Sequence, residues 1–386
     1  MPNVKSYALF PLIFCLGIAA VTLYWSFEYA VPYEIPKIIL FNRFVEILAI
    51  LTLVRFKHLH NKSQYKPILF LILLFFLTAV FSALQGVDVN KSIWGNYYRG
   101  DGLFTLAHLM VFSVVISIWW KAEYFKWFTY TAMALNLGIS VIVIQHYFTL
   151  PSAIWVPFFG QPNFLAGYLL TTLPFALFHL KKHTYLSVSS ILFSCIAIYL
   201  TSSTASMLGL ALFAVGVLWL HKKVSVKTTA LISVLLVAIG IGYFLTHQTD
   251  SPEQRIAESR ERIYTKALLA VKEKPILGWG WANFDYAFSE IDWPIRYEQD
   301  AYVDKAHGHI LEIISTTGII GVTIYLALVF YMLKRLQNSP ILLLGLILFL
   351  FHSQTNVISV AQELYFWFFV GVALTTLPFG KRSERG

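Results

Sequence analysis

Apolar runs close to the ~20 residues that a helix needs to cross a bilayer succeed one another along almost the whole chain, parted by short polar connections. Hydropathy predicts twelve spans, at residues 7–27, 35–54, 67–84, 102–120, 125–148, 160–180, 185–201, 205–220, 226–247, 309–333, 340–356 and 362–379. One polar stretch breaks the rhythm: residues 247–308 hold 8 of the 29 Lys+Arg and 11 of the 20 Asp+Glu. The predicted fold is an all-α membrane protein, a single polytopic domain over 1–386 with about twelve transmembrane helices. Residues 247–308 form one long extracytoplasmic loop within it, and that loop carries an amphipathic helix.

Charge fixes the expected orientation. Arg55, Lys57, Lys62 and Lys66 fall on one connection, and the same side receives Lys121, Lys126, Lys181, Lys182, Lys222, Lys223, Lys227, Lys334, Arg335, Lys381, Arg382 and Arg385. The opposite connections carry little beyond Lys37, Lys91 and Arg99. The positive-inside rule then predicts a multi-pass membrane protein with both termini cytoplasmic and the long loop facing outward. The first apolar run exceeds a signal-peptide core and lacks a small-residue cleavage site, so it is expected to stay as a signal anchor. With 58% hydrophobic and 13% charged residues, the composition excludes an ordinary soluble domain. The formal charge of +9 is spread over connections, which speaks for topology and anionic lipids and not for nucleic acid. Cys15 and Cys195 lie within spans and read as apolar filler.

Four short constellations fall at ends of spans predicted to face outward. Gly95 to Phe104, GNYYRGDGLF, places Arg99 and Asp101 among glycines and tyrosines, and reads either as an interface belt with a local ion pair or as part of a site. In GQPNFLAG, Gly160 to Gly167, Pro162 suits a first helical turn, so the span starts with free amide donors and a positive dipole end able to take a phosphate. The plainer reading is a capped helix start. Within the loop, residues 255–274 predict an amphipathic helix lying on the membrane. At about 100° per residue, Ile256, Ile263, Tyr264, Ala267, Leu268 and Val271 share one face with Arg260 near its centre, while Arg255 and Arg262 point away. Arg260 either snorkels to lipid phosphate or reaches into a site. Pro275 to Phe284, PILGWGWANF, is a glycine-punctuated aromatic turn. Asp304 to Gly321 then puts His307 where loop becomes span, a candidate general base that is otherwise a solvated neighbour of headgroups, with His309 expected to point elsewhere.

Taken together, Arg260, PILGWGWANF, Asp304-Lys305-Ala306-His307 and the TTGIIG of Thr316 to Gly321 resemble, in order and spacing, the bacterial O-antigen ligase and polymerase family. GQPNFLAG resembles that family's G-N-P-N-x-L-A segment with Gln161 at the asparagine position, and YRGDGL resembles its weaker R-x-x-G-L segment. One departure stands out: where the family shows T-x-S-R, this chain reads Thr201-Ser202-Ser203-Thr204, so a phosphate-binding arginine is replaced by hydroxyls.

The resemblance implies a membrane glycosyltransferase that moves a glycan from a polyprenyl-pyrophosphate carrier to an acceptor hydroxyl, inverting and independent of metal. Acceptors in such a family are a glycan, a lipid or a protein. The implied base is His307, and the implied pyrophosphate ligands are Arg260, Arg99, Gln161, Asn163 and Thr204. No cofactor is expected. No clustered carboxylates of the kind Mg²⁺ needs stand out, Asp300 and Asp304 being the nearest approach. Rival readings are a polysaccharide polymerase of the same family and a transporter or flippase of lipid-linked glycans. A carrier would want midplane sites on broken helices in matching halves, yet no internal repeat is evident and Arg43, Glu46, His108 and Glu363 suggest no relay.

Overall fold

The computed structural model describes residues 9–54, 66–149, 156–220, 260–291 and 302–375. The expected span at 226–247, Arg255 and Ile256 of the loop helix, Asp300, and the basic residues at 55–62, 222–227 and 381–385 lie outside the described residues.

All regular structure among the described residues is helical. The α-helices are α1 (Leu9–Leu23), α2 (Glu34–Val54), α3 (Lys66–Leu84), α4 (Val89–Trp94), α5 (Leu103–Trp119), α6 (Phe125–Thr149), α7 (Pro162–Thr172), α8 (Thr184–Leu200), α9 (Thr204–Leu220), α10 (Arg260–Glu273), α11 (Phe284–Glu290), α12 (His309–Leu336), α13 (Pro340–His352) and α14 (Val360–Ala373). Of the predicted spans, those within the described residues each fall on one of these helices. By length and composition alone, Pro67–Leu84, Ala122–Thr149 and His309–Leu336 are long and apolar enough to cross a membrane, and six shorter apolar helices accompany them.

Two spans depart from simple helices for local reasons. The one expected at 160–180 is α-helical only to Thr172 and continues as a 3₁₀ helix, Leu173–His179, because Pro174 has no amide hydrogen and its ring crowds the carbonyl one turn back. Helix α12 is broken by Gly318, whose φ of 67° lies in the left-handed region.

The solvent is written in the packing. Leu12, Leu16, Ile50, Leu53, Phe70 and Phe330 point outward, the reverse of a soluble fold and the arrangement that lipid favours. At the centre, every residue of α14 except Glu363 is buried, and the Phe368 ring stacks on Phe128 at 3.9 Å. The connections around Glu34, Phe158 and Ser353 are tied to neighbouring segments by hydrogen bonds. Val360 donates its amide to Glu34 Oε2 (3.0 Å), His309 donates to the Ser353 carbonyl (2.8 Å), and Lys37 Nζ reaches the Phe158 carbonyl.

Candidate functional site

The break in α12 has a mechanical cause. Gly318 opens the helical ladder, and the Pro275 to Phe284 turn inserts there: Trp279 and Gly280 donate to the carbonyls of Ser315 and Thr316 (3.0 Å each), and Ile319 donates to Pro275 (2.8 Å). A Cβ on Gly278 would meet the Thr316 backbone, and one on Gly318 the Ile276 backbone, while both glycines have positive φ. That explains why glycine stands at both positions, and it fixes the loop against the end of a span.

On that base sits a small core of Ile263, Ala267, Phe284, Phe288, Val303 and Ala306. It corrects the expected loop helix. Helix α10 buries Arg262, Ile263, Lys266, Ala267 and Ala270 against the protein and leaves Leu268 exposed. The buried face is thus rotated by about a quarter turn from the expected one. Arg262, expected to point away, is buried, and Arg260 lies at the edge of the face instead of its centre. Tertiary contact with α11 and α12 outweighs the spacing of apolar residues that suggested a membrane-surface helix.

The YRGDG and DKAH segments interlock by charge. Arg99 Nε binds Asp304 Oδ2 at 2.7 Å, while Lys305 binds Asp101 and also Glu312 (3.1 Å). The local Arg99–Asp101 pair suggested by the sequence is therefore replaced by two pairs that cross from one segment to the other. Asp101 also accepts the Asn96 amide (3.1 Å), and Glu312 accepts the Ala306 amide (2.7 Å). Burial alone would push the Asp101 carboxyl up and the Lys305 ammonium down. The pairing outweighs it, leaving Asp101 below and Lys305 above the usual range. Arg99 is likewise penalised by burial, yet raised on balance by Asp304.

His307 is held above this lattice in a left-handed backbone conformation, φ 53°, with its carbonyl 3.4 Å from the Tyr264 hydroxyl of α10. The other non-glycine residues with positive φ among those described are Phe158, Ser202 and Ala282, so each of the segments FFGQPN, TSST, WGWAN and DKAH contains one. Backbone strain of this kind collects where surrounding structure over-determines a geometry. His307 Nδ1 is buried without a hydrogen-bond partner, as is Arg260 Nη1. Burial, then the neighbouring Arg260, and also Arg99, pull the imidazole down to about 3 against the opposing pull of Asp304. The expected exchange of a proton near neutral pH is thereby corrected for the ligand-free site, where His307 is a neutral acceptor over the physiological range.

Two neighbouring cavities open at this end of the bundle. The inner one, about 100 Å³, is lined by His307, Lys305, Asp101, Trp281 and Glu363 with aliphatic walls from Ile38 and Leu106. The outer one, about 360 Å³, is lined by Gln161, Tyr98, Phe159, Phe164, Tyr302 and Asp304. Glu34 and Arg99 belong to both walls. Among the predicted site residues, His307, Arg99 and Gln161 thus line these two neighbouring cavities, and Arg260 adjoins His307 electrostatically. Neither Asn163 nor Thr204 lines either of these two cavities. Gln161 is the N-cap of α7, although its side chain makes no capping bond, and Ser203 next to Thr204 is buried with its hydroxyl 3.0 Å from Ser206. His309 does not point elsewhere: it lines the inner cavity with its ring 5.2 Å from that of Tyr325.

Sequence reasoning passed over Glu34 and Glu312, and named Lys305 only within its motif and Glu363 only as a charge inside a span. Glu34 and Glu312 each occupy a first helical turn, where an acidic residue reads as ordinary dipole pairing. Arg43, Glu46 and His108, which suggested no relay, form a chain through Arg43–Glu46 (2.8 Å) and Glu46–His108 (3.3 Å). No group of three or more His, Cys, Asp or Glu able to hold a metal occurs among the described residues.

Comparison with known proteins agrees with the resemblance in the sequence. A search of curated proteins returns no match. The family model described as O-antigen ligase matches residues 189–326. That segment contains the TSST turn, helix α10, the inserted turn, His307 and the Gly318 break. This match over residues 189–326 supports the resemblance of this integral membrane protein to the O-antigen ligase and polymerase family.

Proposed function

We propose that the chain transfers a glycan from a polyprenyl-diphosphate carrier to an acceptor hydroxyl at the outer face of the bacterial cytoplasmic membrane, with inversion and without a metal. The observation that carries this reading is His307 Nδ1, buried and unpartnered beside two guanidiniums in the wall of a cavity. A diphosphate is already a good leaving group. The protein therefore has to hold its charge and remove one proton.

In the proposed step the acceptor oxygen attacks the anomeric carbon, the bond from that carbon to the diphosphate oxygen breaks, and the hydroxyl proton passes to His307. Arg260 and Arg99 balance the charge on the departing diphosphate, with the amide-rich start of α7 beside Gln161 adding dipole. Asp304 orients Arg99, and the Lys305–Asp101–Glu312 lattice fixes the segment that carries His307. Arriving negative charge raises the imidazole pKa, so the group becomes a better base when the donor is present.

Mixing purified protein with a polyprenyl-diphosphate-linked glycan and an acceptor glycan should release polyprenyl diphosphate and form a product of inverted anomeric configuration, equally well with EDTA. Retained configuration, or inactivation by EDTA restored by a divalent cation, would overturn the mechanism. A deletion strain that accumulates full-length lipid-linked polymer identifies a ligase, and one that accumulates single repeat units identifies a polymerase.

A further inference from the structure

The outer cavity has no role in the step just described beyond its neighbourhood to Arg99 and Gln161. Its lining differs in kind from that of the inner one. The inner cavity has aliphatic walls of Ile38, Leu106, Leu109 and Ile313, suited to an isoprenoid-linked group. The outer cavity is faced by aromatic rings, with an amide, two carboxylates and the Arg99 guanidinium among them. Rings at a membrane surface are ordinarily explained as an interface belt. A belt does not account for Glu34.

Glu34 is only 4% exposed, and the two oxygens of its carboxylate have different fates. Oε2 accepts the Val360 amide at 3.0 Å, whereas Oε1 is buried with no hydrogen-bond partner although it lies in the wall common to both cavities. Lys37, one turn on, does not satisfy it: its ammonium donates to the carbonyls of Tyr24 (2.7 Å) and Phe158 (2.5 Å). The second of those bonds holds the turn that brings Phe159 and Gly160 to the cavity, where a Cβ on Gly160 would strike the Tyr33 ring. The first turn of α2 thus contributes Glu34 to the wall of the chamber and leaves one of its carboxylate oxygens without a hydrogen-bond partner. An unsatisfied buried acceptor is costly unless a ligand supplies the donor.

We infer that the outer cavity is a pyranose subsite in which Glu34 Oε1 accepts a hydrogen bond from a sugar hydroxyl and Tyr98 offers its ring face to the sugar. Aromatic faces give an apolar platform, and the carboxylate gives a directional, charge-assisted bond, the combination expected of a small polar ligand held by few polar groups. This inference rests on the glycosyl-transfer reading. The sugar comes either from the acceptor or from the donor glycan next to its diphosphate.

Saturation-transfer NMR of the detergent-solubilised protein against methyl glycosides of glucose, galactose, mannose and N-acetylglucosamine tests the site without any donor. At least one glycoside should bind, and Glu34→Gln should weaken it about tenfold. The amide keeps an oxygen for the Val360 amide hydrogen, so folding should survive. Tyr98→Ala, at a half-exposed ring, should weaken it severalfold with no change in thermal unfolding. In steady-state transfer, a raised KM for acceptor in both variants assigns the site to the acceptor sugar, and a raised KM for donor assigns it to the donor sugar. Glycoside binding in wild-type protein that lacks transfer would leave the subsite standing and remove the transferase reading. No binding of any glycoside, or equal binding in wild type and both variants, overturns the inference.

Discussion

The centre of the bundle and its cavity-bearing end are held together by different physics. Around α14, buried rings of Phe14, Phe112, Phe128 and Phe368 pack against one another, and the backbone is regular helix. At the cavity end one helix is broken at Gly318, connecting segments hold single residues in the left-handed conformation, and buried charges pair in a crossed lattice. The first region asks only for apolar volume in roughly the right shape, which many residues supply. The second fixes a few atoms to within fractions of an ångström at a cost in strain and desolvation, and such cost persists where function requires it.

The sharpest way to break that contrast is to add one side chain where the loop enters α12. Gly278→Val combines a positive φ with backbone collision and should destabilise the protein by about 3–5 kcal/mol, abolishing transfer, as read by thermal unfolding in detergent. Phe128→Leu at the centre should cost about 1–2 kcal/mol and leave transfer within a few-fold of wild type. Comparable losses from both would erase the distinction.

Within the cavity end, Arg260→Lys should lower kcat/KM by about 10–100-fold, because an ammonium cannot reproduce the two-pronged grip of a guanidinium. Arg262 is buried and so is no neutral control; the exposed Lys272 is, and Lys272→Ala should stay within about twofold. Equal tolerance at Arg260 and Lys272 would reduce Arg260 to a lipid contact. Asp304→Asn should cost about tenfold, since Arg99 loses its partner and His307 loses the negative group that, among the described residues, raises its pKa.

The smallest expected effect is in the pH profile, and its sign is specific. His307 must be neutral to act as base, and in the free site its pKa is pulled down to about 3. The log of kcat/KM, which follows the free enzyme, should therefore stay flat from pH 7.5 to 5. An unperturbed histidine of pKa about 6.5 would instead give a fall of about 30-fold by pH 5. The kcat profile should turn down at higher pH than that of kcat/KM, because bound diphosphate favours the protonated imidazole.

Much of this was legible in the sequence, and the limits are physical. Long apolar runs declare themselves because each must bury its backbone polar groups within itself, so the described helices fall where hydropathy put them. Arg99, Gln161 and His307 were legible as punctuation at span ends. Helix α10 misled because its apolar face was read against lipid, whereas the inserted turn and α11 supply a protein partner that no local pattern announces. The crossed pairs Arg99–Asp304 and Asp101–Lys305 span about two hundred positions of chain, and a single sequence carries no sign of which charges meet. Glu34 was invisible for the same reason: its meaning lies in the cavity on its far side.

The central claim is that His307 takes the proton in glycan transfer. Its left-handed backbone makes His307→Ala a strained substitution, worth up to about 1–2 kcal/mol, so His307→Asn, which tolerates that conformation, belongs beside it. Transfer from a polyprenyl-diphosphate-linked glycan by purified wild-type, His307→Ala and His307→Asn protein is the most direct measurement. Both variants should lose at least about 100-fold in kcat, with thermal unfolding of the asparagine form unchanged. A folded His307→Asn protein that transfers glycan at near wild-type rate would contradict the assignment.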